Sequence, residues 1–221
     1  MTRQMILDLP VRQARGRDDF FVSPANALAL ATLDAPEVWP SGRMLLVGPE
    51  GAGKSHLAAI WAEAHDAPTL SARDLTEADA PGLAQARAAV IEDAQHTADA
   101  QAALFHLYNL MLAEGGRLLL TANAPPRDWG LTLPDLISRV TATALVRIAA
   151  PDDALLSAVL VKLFNDRQTK VPRSLIPWLV TRMDRSLGTA RRLVTALDAR
   201  AVAEGRPLTR VMAAEVLDSF A

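Results

Sequence analysis

The sequence predicts an α/β fold, a parallel sheet flanked by helices in an αβα core, followed by a small all-helical subdomain. Three observations carry that prediction. Short apolar runs alternate with helix-like segments up to about residue 149, and a helix crossing between strands implies parallel pairing. A glycine-rich loop, GPEGAGKS, joins the first of those runs to a helix. Beyond Asp152 every apolar pattern has helical spacing. Residues 1–18 are therefore expected to be a flexible N-terminal tail, 19–149 the α/β core and 150–221 the helical subdomain.

The chain is long enough for a substantial core, with 221 residues of which 50% are apolar. No apolar run approaches the roughly 18 to 20 residues that cross a bilayer, and the N-terminus lacks a secretion-type apolar stretch, so a cytoplasmic protein without membrane contact is expected. Zero cysteines exclude disulfides and cysteine-ligated metal. A net charge of −2 speaks against a domain held to duplex DNA by many phosphate contacts. Only three basic residues are lysines, Lys54, Lys162 and Lys170, so each invites a chemical reason.

Taken in order, RMLLV (43–47) reads as a buried strand running into Gly48–Ser55, with HLAAIWAEAH as the helix after it. Gly48, Gly51 and Gly53 let backbone N–H groups turn toward phosphate oxygens, and the helix N-terminus adds its dipole. Lys54 would pair with the β- and γ-phosphates, and the Ser55 hydroxyl would ligate Mg²⁺. Adenine nucleotide, ADP or ATP, is the expected ligand. After an Ala-rich polar interval, ARAAVIEDAQH (86–96) reads as a strand ending in two carboxylates. There Glu92 takes the metal-side position and Asp93 polarises the attacking water. A strand simply ending at a solvated acidic turn is the plainer alternative.

DAQAALFHLYNLMLAEG reads as a helix, with Leu104, Leu107, Tyr108 and Met111 facing the core and a glycine pair stopping it. RLLLTAN (117–123) is the next strand, ending at Thr121 and Asn123, which could sense the γ-phosphate; Asn123 also suits a turn before Pro125 and Pro126. His96 and His106 lack metal-ligand spacing and read as structural. LPDLISRVTATALVRI (133–148) gives a short helix bearing Arg139, then a strand. That position is where ring-forming ATPases carry an arginine finger acting in trans, although a lone Arg also suits a solvated face. Four helical segments complete the chain; Arg191 and Arg192, early in the third, either point back to the nucleotide or form a surface charge pair.

With those residues in order, the chain resembles the AAA+ portion of the DnaA-like family of bacterial replication proteins, and most its short Hda-type members. The likeness rests on FFVSPANALAL (20–30), GPEGAGKSHL, VIEDAQ, LLLTANAPP, LPDLISRV and GTARRL. In these boxes Ser138-Arg139 matches the finger motif and Arg191 the second sensor arginine, while TAN stands where the family has Thr-x-Asp. The usual carboxylate order is Asp then Glu or Asp, so Glu92 is a departure that suits slow hydrolysis. DnaA itself continues into a helix-turn-helix domain, whereas this sequence stops at Ala221, so it is not expected to read origin DNA by itself.

The opening stretch QMILDLP (4–10) resembles the family's sliding-clamp-binding peptide, with Gln4, Met5, Leu7 and Leu9 in the anchoring places. In an extended peptide Leu7 and Leu9 share one side and can fill one apolar groove, with Gln4 in a polar pocket and residues 11–19 as the tether. A strand packed on the protein's own core is the alternative. The resemblance implies a negative regulator of replication initiation. It would carry nucleotide and Mg²⁺, dock on the DNA polymerase III sliding clamp (β subunit), and stimulate hydrolysis of DnaA-bound ATP through Arg139. DNA would be met only through the clamp, and self-association is left open. Whether the chain is itself an enzyme is also open, an activator of DnaA hydrolysis fitting better than an efficient ATPase. A helicase loader acting on single-stranded DNA is the competing expectation.

Overall fold

Five short strands, β1 (Arg43–Val47), β2 (Thr69–Ser71), β3 (Ala88–Glu92), β4 (Arg117–Ala122) and β5 (Ala144–Arg147), pair in parallel in the order β2-β3-β4-β1-β5. The computed structural model describes residues 20–220. Helices fill each crossover: α1 (Ala27–Leu33) precedes β1, α2 (Lys54–Ala64) leads to β2, α3 (Ala80–Gln85) to β3, α4 (Gln101–Ala113) to β4 and α5 (Pro134–Ala142) to β5.

Alternation along the strands divides the core into two layers. Leu45, Val47, Ala89, Ile91, Leu118 and Leu120 face one way, onto α3, α4 and α5, where Leu104, Leu107, Tyr108 and Met111 meet them. Met44, Leu46, Ala88, Val90 and Leu119 face the other way, onto α1 and α2 through Leu33, Leu57, Ala58 and Trp61. Covered on both sides, β1 is buried along its whole length, which is why it reads as a continuous apolar run. The register sets Val47 beside Ala122 and Ile91 beside Leu120, so the C-terminal ends of β1, β3 and β4 lie together. Ligands of open α/β sheets bind outside those ends.

The chain then becomes helical only: α6 (Asp153–Asp166), α7 (Leu175–Val180), α8 (Leu187–Glu204) and α9 (Arg210–Asp218). They enclose a separate core in which Leu156, Leu160 and Phe164 recur at i, i+4 spacing and meet Leu179, Leu193, Leu197 and Met212. The ends carry the expected punctuation. Asp152, Ser186 and Thr209 cap α6, α8 and α9 by accepting from the N–H of Leu155 (2.7 Å), Thr189 (3.1 Å) and Met212 (3.2 Å), and Gly205, at φ 59°, ends α8.

The Ala-rich polar interval, to which the sequence reading assigned no element, holds β2 and α3. β2 is three half-exposed residues with Leu70 as its one apolar side chain, and α3 contains Pro81 and Gly82, so neither shows a periodic apolar stripe. Among the described residues no helix is long and apolar enough to cross a membrane.

Candidate nucleotide site

β1 delivers its loop into a cavity of about 420 Å³ bounded by the glycine loop, the ends of β3 and β4, and the first turn of α8. Gly48 is pinned by its N–H donating to Ala122 O at 3.1 Å. Gly51 stands at φ +72° with Ser186 against it: an added Cβ would fall 2.0 Å from Ser186 Oγ. Gly53, at φ +106°, is the N-cap of α2. Both conformations favour glycine, and Gly51, Gly53 and the first residues of α2 all border the same cavity.

Lys54 is buried, and its ammonium donates to Gly48 O (2.9 Å), Pro49 O (3.0 Å) and Asn123 Oδ1 (2.6 Å). Burial pulls its pKa below the ordinary lysine value, while the carboxylates of Asp93, Glu50 and Glu92 oppose the shift. Strand β4 thus brings Asn123 directly onto the loop lysine. The Ser55 hydroxyl donates to Glu92 Oε2 at 3.0 Å. A hydroxyl and a carboxylate so placed beside a phosphate cradle are hard oxygen donors that fit Mg²⁺. Among the described residues no group of three or more His, Cys, Asp or Glu could hold a metal, so a cation there would complete its shell from phosphate and water, as Mg²⁺ does.

Asp93 adopts the left-handed conformation at φ 54°, and its N–H donates to Thr121 Oγ1 at 3.2 Å. Arg191 lines the cavity together with Leu187 and Gly188, whereas Arg192 turns to Thr189 Oγ1 at 3.1 Å. The two arginines therefore part company. The helical subdomain also touches the phosphate loop directly, through the Leu187 N–H donating to Gly51 O at 2.8 Å.

Arg139 does not join this cavity. It lies on α5, half-exposed, with its guanidinium carbon 5.3 Å from the centre of the Phe105 ring. Gln4, Met5, Leu7 and Leu9 lie outside the described residues.

Some cavity residues went unassigned in the sequence. Gln95 accepts from the Asn123 N–H at 3.0 Å and donates to Asp93 Oδ1 at 3.3 Å. Arg73, just past β2, donates to His96 Nε2 at 2.8 Å, so His96 stands at the cavity wall rather than in a core; His106 is exposed on α4. Gln95 follows the carboxylate pair within VIEDAQ, a polar side chain at a strand end beside the glycine loop, and that position was the available signal. Arg73 had none, since the strand preceding it was not legible. A second concavity, about 500 Å³ between α1 and α2, is lined mainly by Leu30, Leu33, Leu57, Ile60 and Trp61. It is larger but carries none of the phosphate-directed groups, so chemistry rather than volume selects the first.

No protein-family model matches the chain. Solved structures do. Domain III of the replication initiation protein DnaA from Thermotoga maritima superposes with a TM-score of 0.76 at 18% identity, over 96% of this chain and 99% of that one. The replication initiator DnaA bound to AMPPCP and single-stranded DNA gives 0.65 at 17% identity, over 85% and 67%. The FIGL-1 AAA domain in complex with ADP gives 0.66 at 18% identity, over 90% and 82%. The chain therefore has the AAA+ architecture, an α/β core with a helical C-terminal region.

Proposed function

We propose that this AAA+ chain is an Hda-type negative regulator of the initiator DnaA. On this reading the cavity binds adenine nucleotide, with ADP as the working ligand and ATP as the alternative. Lys54 and the amides around Gly48, Gly51 and Gly53 hold the phosphates, Asn123 and Arg191 face them from β4 and α8, and Asp93 is the water-polarising carboxylate. Mg²⁺, held by Ser55 and Glu92, would neutralise phosphate charge. The observation that carries the regulatory part is the separation of Arg139 from its own chain's cavity. A half-exposed guanidinium on α5 is available to a nucleotide held by another protein, and an arginine supplied in trans raises phosphoryl transfer by about 10³ to 10⁵.

Residues 4–9 supply the second half of the reading, a peptide that docks on the sliding clamp and so ties the activity to replicating DNA. The likeness in fold to DnaA domain III, over nearly the full length of both chains, supports a place beside a DnaA module, where an arginine supplied in trans would reach the neighbour's nucleotide. The rival reading, a loader acting on single-stranded DNA, draws on the DnaA structure that holds such DNA, and the net charge of −2 disfavours it.

The clamp half is tested by the double variant Gln4→Ala, Leu7→Ala. It should lose at least about tenfold in clamp affinity while binding ADP as the parent does. Undiminished clamp binding would remove that half of the proposal.

A further inference from the structure

Helix α4 holds Arg139 at two points. At the tip, the guanidinium carbon stands 5.3 Å from the centre of the Phe105 ring. At the base, the Thr143 N–H turns to Val140 O at 3.2 Å, and it is the Thr143 hydroxyl that reaches back to Arg139 O at 2.9 Å. With its one proton spent there, Thr143 Oγ1 can only accept from the Tyr108 hydroxyl, 3.1 Å away. Phe105 and Tyr108 sit at i, i+3 spacing on α4 and so share a face.

These two hydroxyls form a relay that starts from a fixed point. Tyr108 is 1% exposed, with the Arg43 guanidinium carbon 5.0 Å from its ring centre and its carbonyl accepting from Arg43 Nη2 at 2.7 Å. Burial lowers the Arg43 pKa, Tyr108 opposes that shift and the Arg139 charge adds to it, so a buried like charge repels Arg139 from the protein side. A long stem with many rotamers, pushed outward in this way, meets a reacting phosphate reproducibly only where its backbone end is set.

We propose that Tyr108 and Thr143 are positioning residues for Arg139: their hydroxyl relay sets the last turn of α5, and with it the place from which the guanidinium meets a nucleotide held by another protein. The inference rests on the in-trans reading of Arg139 above and adds what aims that side chain. Neither Tyr108 nor Thr143 lines the nucleotide cavity of this chain, so removing either hydroxyl leaves its own ADP binding alone.

The test is hydrolysis of ATP prebound to DnaA, with DNA-loaded clamp present, as the concentration of the full chain is raised. The parent, Tyr108→Phe, Thr143→Val, the two together and Thr143→Ser are compared. The maximal rate should fall by about fivefold to tenfold in Tyr108→Phe and in Thr143→Val, the worth of one hydrogen bond that fixes a reacting group. The half-maximal concentration and the ADP affinity should stay within about twofold of the parent. The double variant should fall no further than either single one, since both cut the same relay, and Thr143→Ser, which keeps the hydroxyl, should retain the parent rate. A parent-like maximal rate in either hydroxyl deletion, losses that multiply in the double variant, or a change confined to the half-maximal concentration would each overturn the relay. Thr143 is half-exposed, so its valine variant decides alone should Tyr108→Phe not fold. A parent that stimulates no hydrolysis would instead overturn the in-trans role of Arg139 and the relay with it, so the two failures are distinguishable.

Discussion

The Ser55 hydroxyl donates to Glu92 Oε2 at 3.0 Å, joining the start of α2 to the end of β3 across 37 positions of sequence. Glutamate is one methylene longer than the aspartate usual at such a strand end, and this contact shows that the extra reach still ends on the loop hydroxyl. Glu92→Ala should therefore abolish the Mg²⁺-dependent part of ADP binding, a loss of about tenfold or more. Calorimetry with Mg²⁺ and with a chelator measures it; an equal Mg²⁺ increment in parent and variant contradicts the assignment.

Lys54→Ala removes the only ammonium among the cavity residues and leaves Gly48 O, Pro49 O and Asn123 Oδ1 without their shared donor. Each charged hydrogen bond is worth about 1.5 to 3 kcal/mol, so nucleotide affinity should fall by at least about tenfold. Fluorescence titration with a labelled ADP reads the change, and parent-like affinity would sink the phosphate cradle.

Gly51→Ala places a side chain at φ +72° and against Ser186, the cap of α8. The left-handed strain costs about 1 to 2 kcal/mol, and the contact with Ser186 adds to it. Thermal unfolding should show a lower Tm, and weakened nucleotide binding should accompany it because Leu187 hangs from Gly51 O. A variant as stable as the parent would show that the loop and α8 are not coupled here.

Tyr108 is the sole tyrosine, buried beneath Arg43, with its hydroxyl 3.1 Å from Thr143 Oγ1. Burial raises its pKa from 10.0 to about 12, against smaller opposing effects of the Thr143 hydrogen bond and the Arg43 charge. A folded pKa above the unfolded one means stability fully present below pH 10.0 and lost as pH climbs toward about 12. Ultraviolet tyrosinate absorbance should show a single titration near the upper value in folded protein and near the lower one in denaturant. Titration of the folded chain at the ordinary value would contradict the buried hydroxyl.

The sheet was legible where physics made a strand continuous and apolar. RMLLV and RLLLTA are covered on both faces, and their boundaries as strands follow the sequence reading closely. β2 was not, because a three-residue edge strand with one apolar side chain leaves no period to detect. In the site, the glycine loop announced itself through spacing, and the structure brings Lys54, Ser55, Glu92 and Asn123 together. Gln95 and Arg73 escaped because hydrogen bonds between a turn and a strand end, or between two loops, leave no spacing rule in one dimension.

The central claim is tested most directly by following hydrolysis of radiolabelled ATP prebound to DnaA, with DNA-loaded clamp present. The full chain is compared with a form lacking residues 1–10 and with Arg139→Ala. The account predicts clamp-dependent hydrolysis by the full chain, its loss on truncation, and a fall of about 10³ with Arg139→Ala, a variant that still binds ADP. Arg139→Ala as active as the parent, or no stimulation by the full chain, would contradict it.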